Sequence, residues 1–257
     1  MKFISRIVFF VLFLLPTLNL KAQILDQRLI IGASFGVGLP QQNFGKSDTV
    51  GRKDTTKVKG WATTGINFHV KAGWKFYKHF GLMAQAGGNV NWFNSSAYES
   101  QLLGNPILQN QVAVNATAHY IGSYLGGPFF NFPINSIFSI DAHVLVGLMT
   151  AKYSVVSPIV NFDGSTYNES VSYTVARCLG YDAEIGLKAN LMDQVALILT
   201  CGYLGGNPVF GGYSVSYSSG PPLLYPGAPA VSYNNARTST MSTGIINISA
   251  GAVFSFF

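Results

Sequence analysis

Four residues of this chain have the types and spacing to act together. His69, His119 and His143 fall on the polar phase of alternating segments, and Asp141 lies two residues before His143 on the same phase. Two imidazoles and a carboxylate can hold a divalent metal. An imidazole grouped with Ser and an acid can run acyl transfer or hydrolysis. The reading expected here is a hydrogen-bonded interior plug, because every buried polar group needs a partner and this group supplies partners to itself. Asp182, Glu184 and Lys188, with Lys71, are read in the same way as interior ion pairs. No residue is therefore assigned as catalytic, cofactor-binding or metal-ligating, and the chain is not expected to be an enzyme. The three inward His residues count to similar distances from short turns, His79 falls within a short turn, and the long connections carry no His, so no base stands near a nucleophile at the rim.

The elements that must position these groups are strands. From Trp61 to Asn94, Ile66, Phe68, Val70, Ala72 and Trp74 take one face, while Asn67, His69, Lys71 and Lys75 take the other. After a break at residues 77–81 the alternation resumes, with Leu82, Ala84, Ala86, Val90 and Trp92 against Gln85, Asn89 and Asn91. The same period of two runs through residues 28–39, 112–124, 138–148, 173–190, 195–204 and 244–257. With the two strands of the hairpin, that makes eight. The connections alternate long and short. The short ones lie at residues 77–81, at Gly126 to Ser136 and at Met192 to Gln194; long polar ones fill 40–60, 94–111, 153–172 and 205–242. Pairing across the turn near Met192 leaves Cys178 and Cys201 far out of register, so both are expected to be free thiols.

Composition says what surrounds this sheet. Of the 257 residues, 48% are hydrophobic and only 10% charged, where a soluble domain carries roughly 25% charged residues. High apolarity without long apolar runs, an even strand count and long connections all on one side are the signature of a membrane β-barrel. A secreted β-sandwich would place many Lys and Glu on its polar face; here that face is mostly Gly, Asn, Ser, Thr and Ala, which suits a narrow, side-chain-filled interior. The expected fold is all-β, an eight-stranded antiparallel up-and-down transmembrane barrel spanning residues 23–257. Residues 1–22 read as a cleaved signal peptide: Lys2 and Arg6 precede the apolar run Ile7 to Leu15, Pro16 breaks it, and Leu20-Lys21-Ala22 offers a cleavage site. Cleavage leaves 13 basic residues against ten acidic, a net charge of +3 rather than +6, so nucleic acid is not an expected partner.

The ending Lys21-Ala22-Gln23, the turn around Trp74-Lys75-Phe76-Tyr77 and the terminal Phe254-Ser255-Phe256-Phe257 carry a resemblance. The chain resembles the small OmpX/OmpA-type outer-membrane barrels, and in particular those common in Bacteroidetes. Phe257 departs from the pattern, falling out of phase with Phe254 and Phe256. The resemblance implies an integral protein of the bacterial outer membrane, with periplasmic termini and extracellular long loops. It implies contact with outer-membrane lipid and lipopolysaccharide, and with the barrel-insertion machinery during biogenesis. A structural or surface-interaction role through the loops is expected. The alternatives are a barrel subunit of a larger envelope complex, such as the PorT-like component of a type IX secretion machine, and a lipid-modifying enzyme. A conducting, porin-like pore is disfavoured, because eight strands leave room only for side chains. Asp48-Thr49-Val50 and Asp54-Thr55-Thr56 in the basic first loop resemble the short O-glycosylation acceptor of Bacteroidetes.

Overall fold

A computed structural model describes residues 29–46, 59–103, 112–162, 165–211, 213–217, 232–235 and 238–256. The expected signal segment, the acceptor-like Thr residues of the first loop and Phe257 lie outside the described residues. Eight strands close into one barrel: β1 (Leu29–Gln41), β2 (Ala62–Lys75), β3 (Phe80–Phe93), β5 (His119–Pro133), β6 (Phe138–Lys152), β9 (Ala176–Asn190), β10 (Val195–Gly206) and β15 (Thr243–Phe256). Each is antiparallel to the next in chain order, and β15 returns to β1. The closing seam runs unbroken from Leu29↔Phe256 to Gln41↔Gly244. Strands of 12 to 15 residues at about 3.3 Å per residue and a tilt of about 40° give a wall roughly 30–38 Å tall, enough for the ~25 Å apolar band of a membrane barrel.

Alternation sorts the side chains as the sequence requires. On β2, Ile66, Phe68, Val70 and Trp74 are exposed on the outside, while Asn67 and His69 are buried inside. On β9, Leu179, Tyr181, Ile185 and Leu187 face out and Asp182, Glu184 and Lys188 face in. The outer wall is thus a continuous belt of large apolar groups, far beyond the few hundred Å² that a water-soluble monomer leaves exposed. Trp74, Phe254 and Phe256 ring the short-turn end of this belt, and Trp92 and Tyr120 the opposite end, as interfacial aromatics do. Arg177 is exposed on the outward phase one residue from the long-loop end of β9, a position from which a long basic side chain can lay its stem on apolar wall and reach the interface with its head. Both cysteines are free.

At the other end of each strand pair the chain reverses in four residues. In one of these turns the Asn135 side-chain oxygen accepts from Ile137 N–H at 2.9 Å and Phe138 N–H at 2.7 Å, the local bonding that makes Asn a turn former.

Three sequence expectations need correction. The alternating stretch 112–124 is two elements: β4 (Val112–Ala116) leaves the barrel, and the wall strand begins at His119. Gly126 to Ser136 is mostly strand, not turn. Pairing with β6 lapses at Gly127 and Pro128, where Pro lacks an N–H, and resumes in the same register at Phe129↔His143. The long connections are also not plain loops. β7 (Val156–Phe162), β8 (Ser165–Tyr173), β12 (Tyr213–Tyr217) and β13 (Ser232–Asn235) join β4 in a five-stranded sheet ordered β13-β12-β8-β7-β4. A smaller bridge pairs β11 (Val209–Phe210) with β14 (Ser239–Thr240).

Closure depends on close backbone approach at the seam. A Cβ on Gly36 would lie 2.0 Å from the Ile248 carbonyl oxygen and 2.6 Å from the Ser249 Cα, on the neighbouring strand β15. We expect Gly36→Val to cost about 1–3 kcal/mol or more through overpacking. In cold SDS electrophoresis of the refolded protein it should deplete the compact band, whereas Ala33→Val on the outward face should not.

Candidate functional site

The lumen is layered. At the short-turn end Ile30, Phe129, Ala196 and Val253 form a buried apolar floor. At the long-loop end a larger cluster, including Phe44, Leu145, Met149, Tyr153, Phe210 and Ile245, forms a lid. Between them lies a polar middle built from one face of nearly every strand.

The charges of that middle come chiefly from β9, whose period of two stacks Asp182, Glu184 and Lys188 on the inner face. Glu184 accepts a contact from Lys71 Nζ on β2. β2 and β9 stand four places apart around the ring of eight, so this pair spans the bore. Next to it, His143 is registered opposite Glu184. Its Nε2 lies 3.5 Å from Asp182 Oδ2 and its Nδ1 lies 4.0 Å from Glu184 Oε1. Gln85 donates to the same Asp182 oxygen at 2.9 Å. Nearer the floor, Lys188 Nζ lies 3.8 Å from Asp141 Oδ2, and Asn131 donates to Asp141 and, at 3.2 Å, to Ser139 Oγ. Toward the lid the network becomes neutral. Asn67 donates to Val37 O at 2.8 Å and accepts from Ser249 Oγ at 2.8 Å, and Asn91 donates to Gly38 O at 3.0 Å.

The four residues singled out from sequence part company here. His143 sits in the central cluster, and Asp141 pairs with Lys188 one step toward the floor. His69 is only 1% exposed, and among the described residues neither of its ring nitrogens has a hydrogen-bond partner. His119 is not in the group at all. Once β5 is seen to run from 119 to 133, His119 is the strand's first residue, at the long-loop end, rather than a residue near a short turn. There its Nδ1 accepts from Ser154 N–H at 3.1 Å, and Phe44 and Tyr153 pack on it edge-on. The Ser154 hydroxyl meanwhile donates to Thr117 O at 2.8 Å, so it is turned away from the imidazole. Beside them, burial pushes the Tyr153 phenol up, and it stays neutral while sharing a 2.8 Å hydrogen bond with Thr243.

Of the interior ion pairs expected among Asp182, Glu184, Lys188 and Lys71, the structure holds Lys71 with Glu184, whereas Lys188 pairs with Asp141 instead. What sequence reasoning missed is that Asp182 and Glu184 are the partners of His143. Among the described residues, these three present ligand-type atoms within 4.8 Å of one another, all buried.

No protein-family model matches the chain, and no curated protein matches it. Among solved structures it is similar to Neisserial surface protein A, at 10% identity over 89% of this chain and 97% of that one, with a TM-score of 0.44. It is also similar to Ail, the attachment invasion locus protein of Yersinia pestis, at 14% identity over 90% and 100%, with a TM-score of 0.40. A third is a major outer membrane protein from Thermus thermophilus, at 8% identity over 89% and 99%, with a TM-score of 0.48. These likenesses are distant in sequence and loose in shape. By its own closed strand order and apolar outer wall, the chain is a small eight-stranded barrel of the outer-membrane type.

Lys71 and Glu184 lend themselves to a double-mutant cycle. Lys71→Met or Glu184→Gln alone leaves one buried group without its partner, and each should cost about 3–5 kcal/mol. The double variant should recover part of that loss. Urea midpoints of the refolded barrel in lipid vesicles measure all three.

Proposed function

We propose that this chain is an integral protein of the bacterial outer membrane whose work is done by the surface its long loops build, without catalysis. Its termini face the periplasm and its long loops face outside. The observation that carries this reading is the five-stranded sheet at the long-loop end. Three of the four long connections, those following β3, β6 and β10, contribute strands to it. Independent loops would need ordering at the moment of contact, whereas a sheet seated on a rigid wall offers a contact face whose ordering cost is already met. Its partners in this reading are outer-membrane lipid and lipopolysaccharide, with the insertion machinery acting on the aromatic C-terminal strand during biogenesis.

A non-enzymatic role is supported by the state of His119 at the long-loop end. It is 2% exposed beneath Phe44, and the nearby Ser154 hydroxyl is committed elsewhere. A closed lumen also argues against a conducting pore: the floor, the cross-bore ion pair and the lid fill it in sequence.

A second reading, a barrel subunit of a larger envelope machine of the PorT-like kind, has its own support. The short turns hold large apolar side chains out toward solvent, a surface that a protein partner could cover. Tyr77 is 76% exposed and Met192 72% exposed, and Leu191 and Ile137 are exposed beside them.

Two measurements separate these readings. On intact cells, added protease should cut within the long loops and spare the short turns; cleavage confined to the turns would reverse the orientation. Gentle detergent extraction from native membranes, followed by mass spectrometry, should then compare the natural chain with one in which residues 213–235 are replaced by a short Gly-Ser linker. A stoichiometric partner lost with the linker while the barrel stays folded supports the surface reading. A partner kept with the linker but lost on replacing Tyr77 and Met192 by Ser moves the assignment to the machine subunit.

A further inference from the structure

We propose that the centre of the lumen is a binding site for a divalent transition-metal cation of the zinc class, held by His143, Asp182, Glu184 and His69. Ligand atoms of the first three lie within 4.8 Å of one another. They come from adjacent strands whose register sets His143 directly opposite Glu184. All three are at least nine-tenths buried.

His69 is the independent observation. It approaches from the opposite wall, is almost wholly buried, and among the described residues has neither ring nitrogen engaged. The ionisable groups that act on its ring are Lys71, Asp182, Glu184 and His143, the last three being the other proposed ligands. Leaving a buried imidazole without any partner forfeits its hydration for nothing in return, a cost that metal ligation removes. The chain also makes room for this ring. A Cβ at position 87 would sit 2.2 Å from His69 Cδ2, so Gly87 is what admits the imidazole at that height.

The donor set selects the cation. Two imidazoles with two carboxylates suit zinc and its first-row neighbours, whereas calcium and magnesium ask for a shell made almost entirely of oxygens. Tetrahedral bonds of about 2.0–2.1 Å put donors about 3.3 Å apart, so the group of His143, Asp182 and Glu184 must contract by about an ångström, and the His69 ring, which lies outside that group, must swing in to complete the shell. Glu184 has two carboxylate oxygens, one to keep on Lys71 and one to turn to the cation. Gln85, donating to Asp182, fixes that carboxylate from behind, as outer-shell partners of metal ligands do. With apolar layers above and below, the ion enters as the barrel closes and exchanges slowly afterwards.

The full-length barrel, refolded in detergent micelles with Zn2+ and desalted, tests this. Elemental analysis should find about one zinc per folded chain, held through brief EDTA treatment, and X-ray absorption should show a nitrogen/oxygen shell with two imidazoles. His69→Gln and Asp182→Asn should each abolish the bound zinc, His119→Gln should leave it intact, and Gln85→Ala should weaken it about 10–100-fold. If a ligand variant fails to fold, the absorption spectrum of the natural protein decides. Folded protein without stoichiometric zinc, a shell of sulfur or of water alone, or zinc retained by folded His69→Gln and Asp182→Asn together would overturn the proposal. The first of these outcomes would assign the cluster to ordered water instead.

Discussion

Closure of the sheet is the constraint from which the rest of this structure follows. A strand in hydrocarbon has no water to satisfy its N–H and C=O groups, so a spanning sheet cannot keep an edge. Here the last strand, β15, meets the first, β1, along thirteen consecutive partners. That seam joins the parts of the barrel most distant in sequence, and it is the pairing with the largest loop-closure cost. With an even number of strands it also brings both ends of the barrel to the same side, Leu29 opposite Phe256.

Once the wall is closed, its two faces meet different demands. Outward positions meet lipid, and β-branched and aromatic residues there stabilise both strand and membrane contact. Inward positions meet each other across a bore only a few side chains wide. Small residues let the backbones pass, and the longer polar ones must find partners on the far wall. Lys71 reaching Glu184 is the result. Ionised groups so deep are costly to desolvate, and their presence signals specificity or function more than stability. An apolar filling would carry no such penalty, which draws attention to the buried group of His143, Asp182 and Glu184 and to the imidazole of His69 on the facing wall, which has no hydrogen-bond partner among the described residues.

The barrel was legible because period two is a strong signal when repeated. Asp182, Glu184 and Lys188 were placed inward from alternation alone, and they are inward. Two features were not legible, each for a physical reason. The partners of His143 depend on the register of β6 against β9, and the long connection between them leaves that register uncounted from sequence. The surface sheet hid because its strands look like loop. Tyr213, Val215 and Tyr217 do alternate with Ser214 and Ser216, a β-like rhythm that the surrounding Gly, Pro and Ser obscured. Likewise Gly-Gly-Pro at 126–128 reads as a turn by composition, although pairing with β3 carries it through as wall while pairing with β6 lapses for two residues.

The central claim is that one face of each wall strand meets lipid and the other a closed interior. The direct test is a nitroxide scan along β10, placing one spin label at a time from Ala196 to Cys201 in protein whose native cysteines are replaced by Ala, refolded in lipid vesicles. Oxygen collision rates should alternate residue by residue, high at Leu197, Leu199 and Cys201 and low at Ala196, Ile198 and Thr200, with a water-soluble nickel chelate reaching neither set. Loss of the alternation, or high nickel access at Leu197 and Leu199, would contradict the account.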